Sequence, residues 1–372
     1  MKGLIIWAYS ECRSMMGLYR MIKKHANFPV VIASYHHHTF KGYFSVRTTT
    51  GFTTEEFSDI EVIPIGENLE RGLQLLDDHP GYYHLFAFYQ GAPNFIRLMK
   101  EIKKRGEKFG CICESPCNMQ NGWKGFLKEK FYYKFILPRK VKFVVENAEC
   151  FFNLSGDSSV MARKIGWPGH KILPWGYYSP PIPDSHLVKR TDNSDFTILV
   201  SGAMTWHRAP EVALSAMRLL TYWGVKYRAV FTQGGPMLEK LKRLAKEWDL
   251  PVEFVGLVPM PKLIELYESC SVYVASGRNE PWGMRLNDAL QCGAPIVVSR
   301  GMGGVKLVDD YGCGGAFCNE DYVGLAHILK RLAEDKNFYT MVSHKAFNTA
   351  KLISPEAKAV ELLDLLERIF SN

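Results

Sequence analysis

The feature that most constrains this chain is an alternation. Short runs of β-branched and aromatic residues are separated by stretches of helical periodicity, on both sides of one proline-rich interruption. Leu4–Ala8, Val30–Ser34, Ile60–Pro64, His84–Phe88 and Val141–Glu146 read as strands, and Met15–His25 and Ala92–Arg105 as helices. The stretch "LPWGYYSPPIPDSHLVKRTDNSD", Leu173 to Asp195, is dense in Pro, Ser and Asp and reads as a linker. Beyond it come strands at Phe196–Ser201, Tyr227–Thr232, Val252–Val255 and Val272–Ala275, with helices at Ala209–Gly224 and Met237–Trp248. Parallel strands cannot be joined by tight turns, so such alternation implies helical crossovers and α/β sheets. A chain of 372 residues is long enough for two such cores. The expectation is an α/β chain of two Rossmann-like parallel-sheet domains, residues 1–175 and 196–355, joined by a hinge at 176–195. A C-terminal helix at 356–372, announced by Ser-Pro-Glu, would pack back on the first domain.

Composition narrows the class. An apolar fraction of 47% with 23% charged residues is that of a soluble globular protein. Nine scattered cysteines imply no disulfide framework and favour a reducing compartment. Cys111, Cys113 and Cys117 cluster without the paired spacing of common zinc sites and read as small core hydrophobes. The run His36-His37-His38 reads as a polar loop after a strand, with no complementary ligand cluster. The opening "MKGLIIWAYSECR" reads as a first buried strand rather than a targeting segment, and no run reaches the roughly 18 apolar residues of a membrane span. A cytoplasmic chain is expected.

One segment carries the chemistry: "SGRNEPWGMRLNDALQCGAPIVVS", Ser276 to Ser299. Val272–Ala275 would be a strand, Gly277–Pro281 the loop leaving its carboxyl end, and Gly283 and Met284 the start of a helix reaching Gln291. Free N–H groups at a helix start attract phosphate, and a glycine lets a ligand approach the backbone. Glu280 would lie beside that anion site and accept hydrogen bonds from sugar hydroxyls, and Asp288 would take a pair of ribose hydroxyls. In sheets of this kind ligands lie beyond the carboxyl ends of the strands, here expected between the two halves. The plainer alternative is a solvated loop acid and a solvated helix acid.

The segment resembles the nucleotide-sugar signature of retaining glycosyltransferases of the GT-B fold, the large group that includes sucrose synthase-like and bacterial mannosyltransferase members. Their pattern is a Glu, seven residues, a second Glu, then Ala-x-x-x-Gly-x-Pro-Val-Val; this chain has Glu280, "PWGMRLN", Asp288 and "ALQCGAPIVV". "KILPWGYYSPP", "FTQGGP", "VEFVGLVPMPKLIELYESCSVYVAS" and "SRGMGGVKLVDDYGCGGAF" resemble further family segments in the same order. The resemblance implies two domains facing across a cleft and no cofactor beyond a nucleotide-diphosphate-sugar substrate. It places Glu280 on the donor sugar, the Gly283 and Met284 amides near the pyrophosphate, Asp288 on the ribose, and the backbone at Gly256 and Leu257 at the base. The first loop of the C-terminal half, after Gly202, carries an Arg and then a Lys in the family. Here Ala203 stands at the first position and Arg208 at the second. Arg208 can still make bidentate phosphate contacts, and Arg285, Arg278 or Lys306 are candidates to replace the lost cation. The implied mechanism is departure of a nucleoside diphosphate through an oxocarbenium-like state, with cations in a metal's place; the chain contains no Asp-x-Asp. In the N-terminal half Ser10, Gly17 and His84 are assigned to the acceptor side, Gly17 as a remnant of a Gly-Gly loop and His84 as a strand histidine without a catalytic role.

The net charge is +8, and "NGWKGFLKEKFYYKFILPRKVKF" sets Lys124, Lys128, Lys130 and Lys134 among aromatic residues with one acid, Glu129. Three readings stay open: an anionic membrane surface, an ordinary helix with solvated lysines, and single-stranded nucleic acid, the least favoured. Function is accordingly read as transfer of a sugar to a glycan or lipid-linked acceptor, in bacterial surface polysaccharide or glycoconjugate synthesis, with peripheral attachment to the inner face of the membrane. An epimerase of the same fold and a silent nucleotide-sugar-binding protein are the alternatives; no lysine segment to anchor pyridoxal phosphate argues for a phosphorylase.

Overall fold

The computed structural model describes residues 1–36, 57–87, 93–116, 122–156, 159–192 and 194–371. The chain divides into two compact units. The first comprises Met1–Asn118, Trp123–Pro180 and Ser354–Asn372, the second Met119–Gly122 and Pro181–Ile353.

The first unit holds strands β1 (Leu4–Ser10), β2 (Val30–His36), β3 (Ile63–Pro64), β4 (Tyr83–Phe86), β5 (Phe109–Cys113), β6 (Phe151–Asn153) and β7 (Ile172–Pro174). They form one sheet in the order β3-β2-β1-β4-β5-β6-β7, and the pairings are parallel. β1 and β5 are continuous apolar runs because helices cover both faces of such a sheet. Trp7 stacks on Phe86 with centroids 5.5 Å apart, and both are buried in the core. Cys111 and Cys113 lie buried in β5; Cys117, His37 and His38 fall outside the described residues. The C-terminal helix Pro355–Ser371 belongs to this unit, where Tyr83 donates from its hydroxyl to the Phe370 carbonyl at 2.9 Å.

Two expectations are corrected here. Val141–Glu146 is not a strand but the body of a helix, Leu137–Asn147. Valine and phenylalanine favour strands locally, yet the buried positions Leu137, Val141, Val144 and Val145 recur at helical spacing, and Pro138 opens the first turn. Burying that stripe outweighs local propensity. The strand on that side is β6, three residues long. The run at Ile60–Pro64 contracts to the two residues of β3.

The second unit holds β8 (Thr197–Ser201), β9 (Arg228–Thr232), β10 (Val252–Gly256), β11 (Val272–Ala275), β12 (Ile296–Ser299) and β13 (Gly314–Phe317). Their order is β10-β9-β8-β11-β12-β13, and the pairings are parallel. This is the doubly wound order in which the chain reverses direction between the first and fourth strands, and loops diverging there open a crevice at the carboxyl ends. In this unit the reversal lies between β8 and β11. The two parallel sheets are the two Rossmann-like domains of the GT-B fold.

Residues that follow Pro181 are tied to this second sheet. Arg190 is 8% exposed. Its guanidinium donates to the carbonyls of Cys270 (2.7 Å), Cys292 (2.8 Å), Glu268 (2.9 Å), Val188 (3.3 Å) and Tyr267 (2.5 Å). All but the Val188 carbonyl lie at the ends of two helices, Met260–Ser269 and Arg285–Gln291. The last carbonyls of a helix lack intrahelical donors and carry partial negative charge, so one planar cation satisfies both ends. The glycine of the Gly-Ala-Pro segment makes the approach feasible. Gly293 has φ +77°, and a Cβ there would lie 2.2 Å from the Val188 carbonyl oxygen.

Candidate active site

The loops leaving β8 and β11 meet at the reversal point and line one depression, with Ser201, Gly202, Ala203, Arg208, Glu280, Gly283 and Arg285 in its wall. Each is held there by an identifiable local cause. After β8 the chain makes a short 3₁₀ turn, Trp206–Arg208, and then enters the helix Pro210–Tyr222 through Ala209 at φ +48°. A left-handed alanine is costly, and it persists where its surroundings over-determine it. Here the Ser276 hydroxyl, at the end of β11, lies 2.8 Å from the Ala209 carbonyl and 3.2 Å from that of Arg208. The turn that aims Arg208 is thus fixed from the neighbouring strand. Gly202, at φ +153°, clears the path: a Cβ would sit 2.9 Å from Arg208 Nη1.

Arg208 Nη2 lies 3.1 Å from Glu280 Oε1, with the carboxylate side chain 12% exposed and the arginine 34%. Glu280 is clamped by its backbone. Its N–H donates to Gly301 (3.1 Å) and its carbonyl accepts from Gly303 (3.0 Å), a bridge to the loop after β12. On the far wall Arg285 Nη1 donates to Ser201 Oγ at 2.7 Å and lies 3.5 Å from the Tyr267 hydroxyl. Ser201 Oγ also accepts from Thr232 at 2.7 Å. Arg285 thus brings a guanidinium to the wall, on which the Asp288 carboxylate, three residues on, acts electrostatically. Burial and the adjacent Arg208 guanidinium push the His207 imidazole below its ordinary value, which leaves positive charge here to the arginines.

The three substitutes named for the missing cation are separated by this geometry. Arg278 is committed elsewhere: it pairs with Glu211 and Glu320 and donates to the Trp206 carbonyl. Lys306 pairs with Asp310 at 2.8 Å. Neither lines the depression, whereas Arg285 does. Met284 is the residue before the helix Arg285–Gln291, and Asp288 lies on that helix; neither reaches the wall, nor do Gly256 and Leu257 at the end of β10. Among the described hydrogen bonds the Gly283 and Met284 amides donate to no carbonyl.

In the first unit the candidates scatter. Ser10 ends β1. Gly17 is buried inside the helix Arg13–His25, where a Cβ would lie 2.4 Å from Pro180 Cγ, so it serves packing. His84 is fully buried, accepts from Trp7 Nε1 at 3.2 Å and meets Glu107 at 3.2 Å. Burial pushes its imidazole below the ordinary value, against the opposing pull of Glu107. It pairs in register with Ile5, near the start of β1, and therefore belongs to the sheet's interior and not to an acceptor site. Ser201 and Ser276 were not singled out in the sequence; each ends, or directly follows, one of the two strands at the reversal point.

Residues 183–349 match the profile of the family described as Glycosyl transferases group 1. That match covers nearly the whole of the second unit's main segment, Pro181–Ile353. Over 100 residues the chain is 31% identical to a GDP-mannose-dependent alpha-(1-6)-phosphatidylinositol dimannoside mannosyltransferase of Mycobacterium tuberculosis, covering 27% of this chain and 26% of that one. Over 139 residues it is 29% identical to the D-inositol 3-phosphate glycosyltransferase of Corynebacterium jeikeium, covering 37% and 33%. The matched segments thus span about a quarter to a third of those relatives. Among solved structures, Anabaena Alr3699/HepE in complex with UDP aligns over 99% of this chain and 100% of that one, at TM-score 0.67 and 12% identity. The lipopolysaccharide outer core galactosyltransferase WaaB aligns over 99% and 100%, at TM-score 0.65 and 12% identity. At such identity the likeness is one of fold. The depression lies wholly within the matched residues of the second unit, built from the loops after β8, β11 and β12.

Proposed function

We propose that this protein is a retaining glycosyltransferase that moves a sugar from a nucleoside-diphosphate sugar to a hydroxyl of a glycan or lipid-linked acceptor. The observation that carries this reading is the convergence of two arginines and one buried-edge carboxylate, Arg208, Arg285 and Glu280, on one depression at the reversal point of the second unit. As the sugar–phosphate bond breaks, negative charge grows on the diphosphate. Preorganised cations that already face that position stabilise the transition state more than the ground state. Glu280 supplies an acceptor for sugar hydroxyls and negative charge near a developing oxocarbenium centre. The Gly283 amide, in the wall, adds a donor to the anion site. The Met284 amide, just before the helix that follows, and Asp288, on that helix, lie outside the wall and would meet the parts of the nucleotide that extend beyond the depression. Charge stabilisation by guanidinium groups makes a metal-independent reaction the expected one, with activity retained in a chelator.

The named relatives are a GDP-mannose-dependent mannosyltransferase and an inositol phosphate glycosyltransferase, and a solved neighbour holds UDP; sugar transfer is common to the two relatives and is what we carry over. The decisive experiment measures release of nucleoside diphosphate from a panel of nucleotide-sugars, with and without acceptor. Acceptor-dependent release supports transfer. Conversion of the sugar without release would make the protein an epimerase, and binding without turnover a silent nucleotide-sugar protein.

The role of Asp288 is separately testable. Asp288→Ala is expected to weaken the free nucleoside diphosphate by about 1.5–3 kcal/mol, the worth of hydrogen bonds to a charged group. Isothermal titration with the free nucleotide measures it, and unchanged affinity would place the ribose elsewhere.

A further inference from the structure

The stretch from Gly122 to Ile136 has two faces, and only one of them is used by the fold. It begins as the helix Gly122–Leu127 and continues as a π-helix, Lys128–Ile136, closed by the Leu137 N–H donating to the Tyr132 carbonyl. Tyr133 and Leu137 are buried in the core of the first unit. On the other side Trp123 (69% exposed), Phe126 (60%) and Phe131 (55%) stand in solvent, with Leu127, Phe135 and Ile136 also exposed. In an ordinary helix, residues five apart point about 140° away from each other. In a π-helix, whose bonds run i→i+5, they lie much closer to the same side. Phe131 and Ile136, five apart within the π-helix, therefore share a side of it, and Phe126, in the α-helical turn before, is exposed as well.

Lysines flank these exposed residues without acidic partners. Lys124, Lys128, Lys130 and Lys134 make no ion pair among the described residues; each amine instead lies 5.3–5.8 Å from a ring centroid of the same segment. The one acid of the π-helix, Glu129, faces Lys164 at 3.9 Å. The face is thus convex, apolar along its crest and positively charged at its flanks.

We propose that this face docks on an anionic lipid surface, with the aromatic and aliphatic crest entering the interface and the lysines meeting headgroup phosphates. A helix that presents bulky apolar residues bordered by lysines gains from burial of the crest and from attraction to anionic lipid together. Leu127 and Ile136 favour lipid over single-stranded nucleic acid, because aliphatic side chains gain from an acyl environment and offer bases nothing to stack on. The charge decides against a second copy of the same face, which would set lysine against lysine.

The test is co-sedimentation with vesicles of phosphatidylcholine alone and of phosphatidylcholine mixed with phosphatidylglycerol. The wild-type protein is expected to sediment with the mixed vesicles at low salt and not with the neutral ones. Changing Lys124, Lys128, Lys130 and Lys134 together to Gln is expected to lower partitioning by roughly two to three orders of magnitude, at about five-fold per charge. That loss should shrink as salt rises. Phe126→Ser with Phe131→Ser should lower partitioning at every salt concentration. All six side chains are exposed or flank exposed apolar residues, so circular dichroism should match wild type. Equal partitioning of wild type and both variants would overturn the proposal, as would capture of a single-stranded oligonucleotide with no vesicle binding.

Discussion

Arg208→Ala is expected to lower turnover by roughly one to three orders of magnitude, the effect of losing one preorganised charge donor at a developing anion. The expectation follows from how much of the local structure exists to aim this side chain. Gly202 leaves room for the guanidinium, Ser276 holds the turn that carries it, and Glu280 meets it at 3.1 Å. Arg285→Ala should produce a loss of similar order, since it is the second cation lining the depression and Ala203 supplies none. The double variant should lose less than the product of the two single effects, because groups that stabilise one charge act as a unit. Arg208→Lys keeps the charge but gives up the planar fork, and should recover only part of the rate. Steady-state release of nucleoside diphosphate measures all four variants. Wild-type turnover in a folded Arg208→Ala protein would remove the residue from leaving-group stabilisation.

Arg190→Ala is expected to cost on the order of 3–5 kcal/mol of stability without touching the depression. Removing the guanidinium takes a donor from carbonyls at two helix ends, and although the Cys292 carbonyl keeps the Val188 N–H at 3.3 Å, a buried acceptor left without a donor bears its full desolvation penalty. Five carbonyls lie within 3.3 Å of its nitrogens, so no single neighbouring side chain can substitute. Arg190→Lys should recover less than half, because an ammonium has three donors on a point and cannot span both ends. A urea midpoint that falls with an unchanged m-value would register the loss as one of native-state stability. An unchanged midpoint would show that the helix ends are satisfied another way.

How legible the site was in the sequence depends on the residue. Glu280 and the loop around it were readable because a buried strand, a loop acid and a helix start within a dozen residues leave few physical uses. The fate of Arg285 and Arg278 was not readable. Both are cations in the same segment, and only the fold brings Glu211 and Glu320, 67 and 42 residues away, onto Arg278. Arg190 was equally silent, since in a stretch rich in Pro, Ser and Asp an arginine reads as solvated. Val141–Glu146 misled for the opposite reason: its residue types favour strands, and its buried spacing, set by tertiary packing, made it a helix.

The contact between Arg208 and Glu280 has a consequence for the end of the catalytic cycle. Under the function proposed above, the carboxylate would already hold a guanidinium that a phosphate uses. Each incoming diphosphate would then displace this tethered rival, and each spent one would face its return. A built-in competitor of this kind weakens the grip on the leaving nucleotide and speeds its escape, at some loss of ground-state affinity. Glu280→Gln removes the rival's charge. Inhibition by free nucleoside diphosphate should therefore become tighter even as sugar transfer falls, so that the variant is held back by its own product. Product-inhibition constants measured for both proteins decide the matter: weaker or equal inhibition in Glu280→Gln would mean that the pair parts without cost.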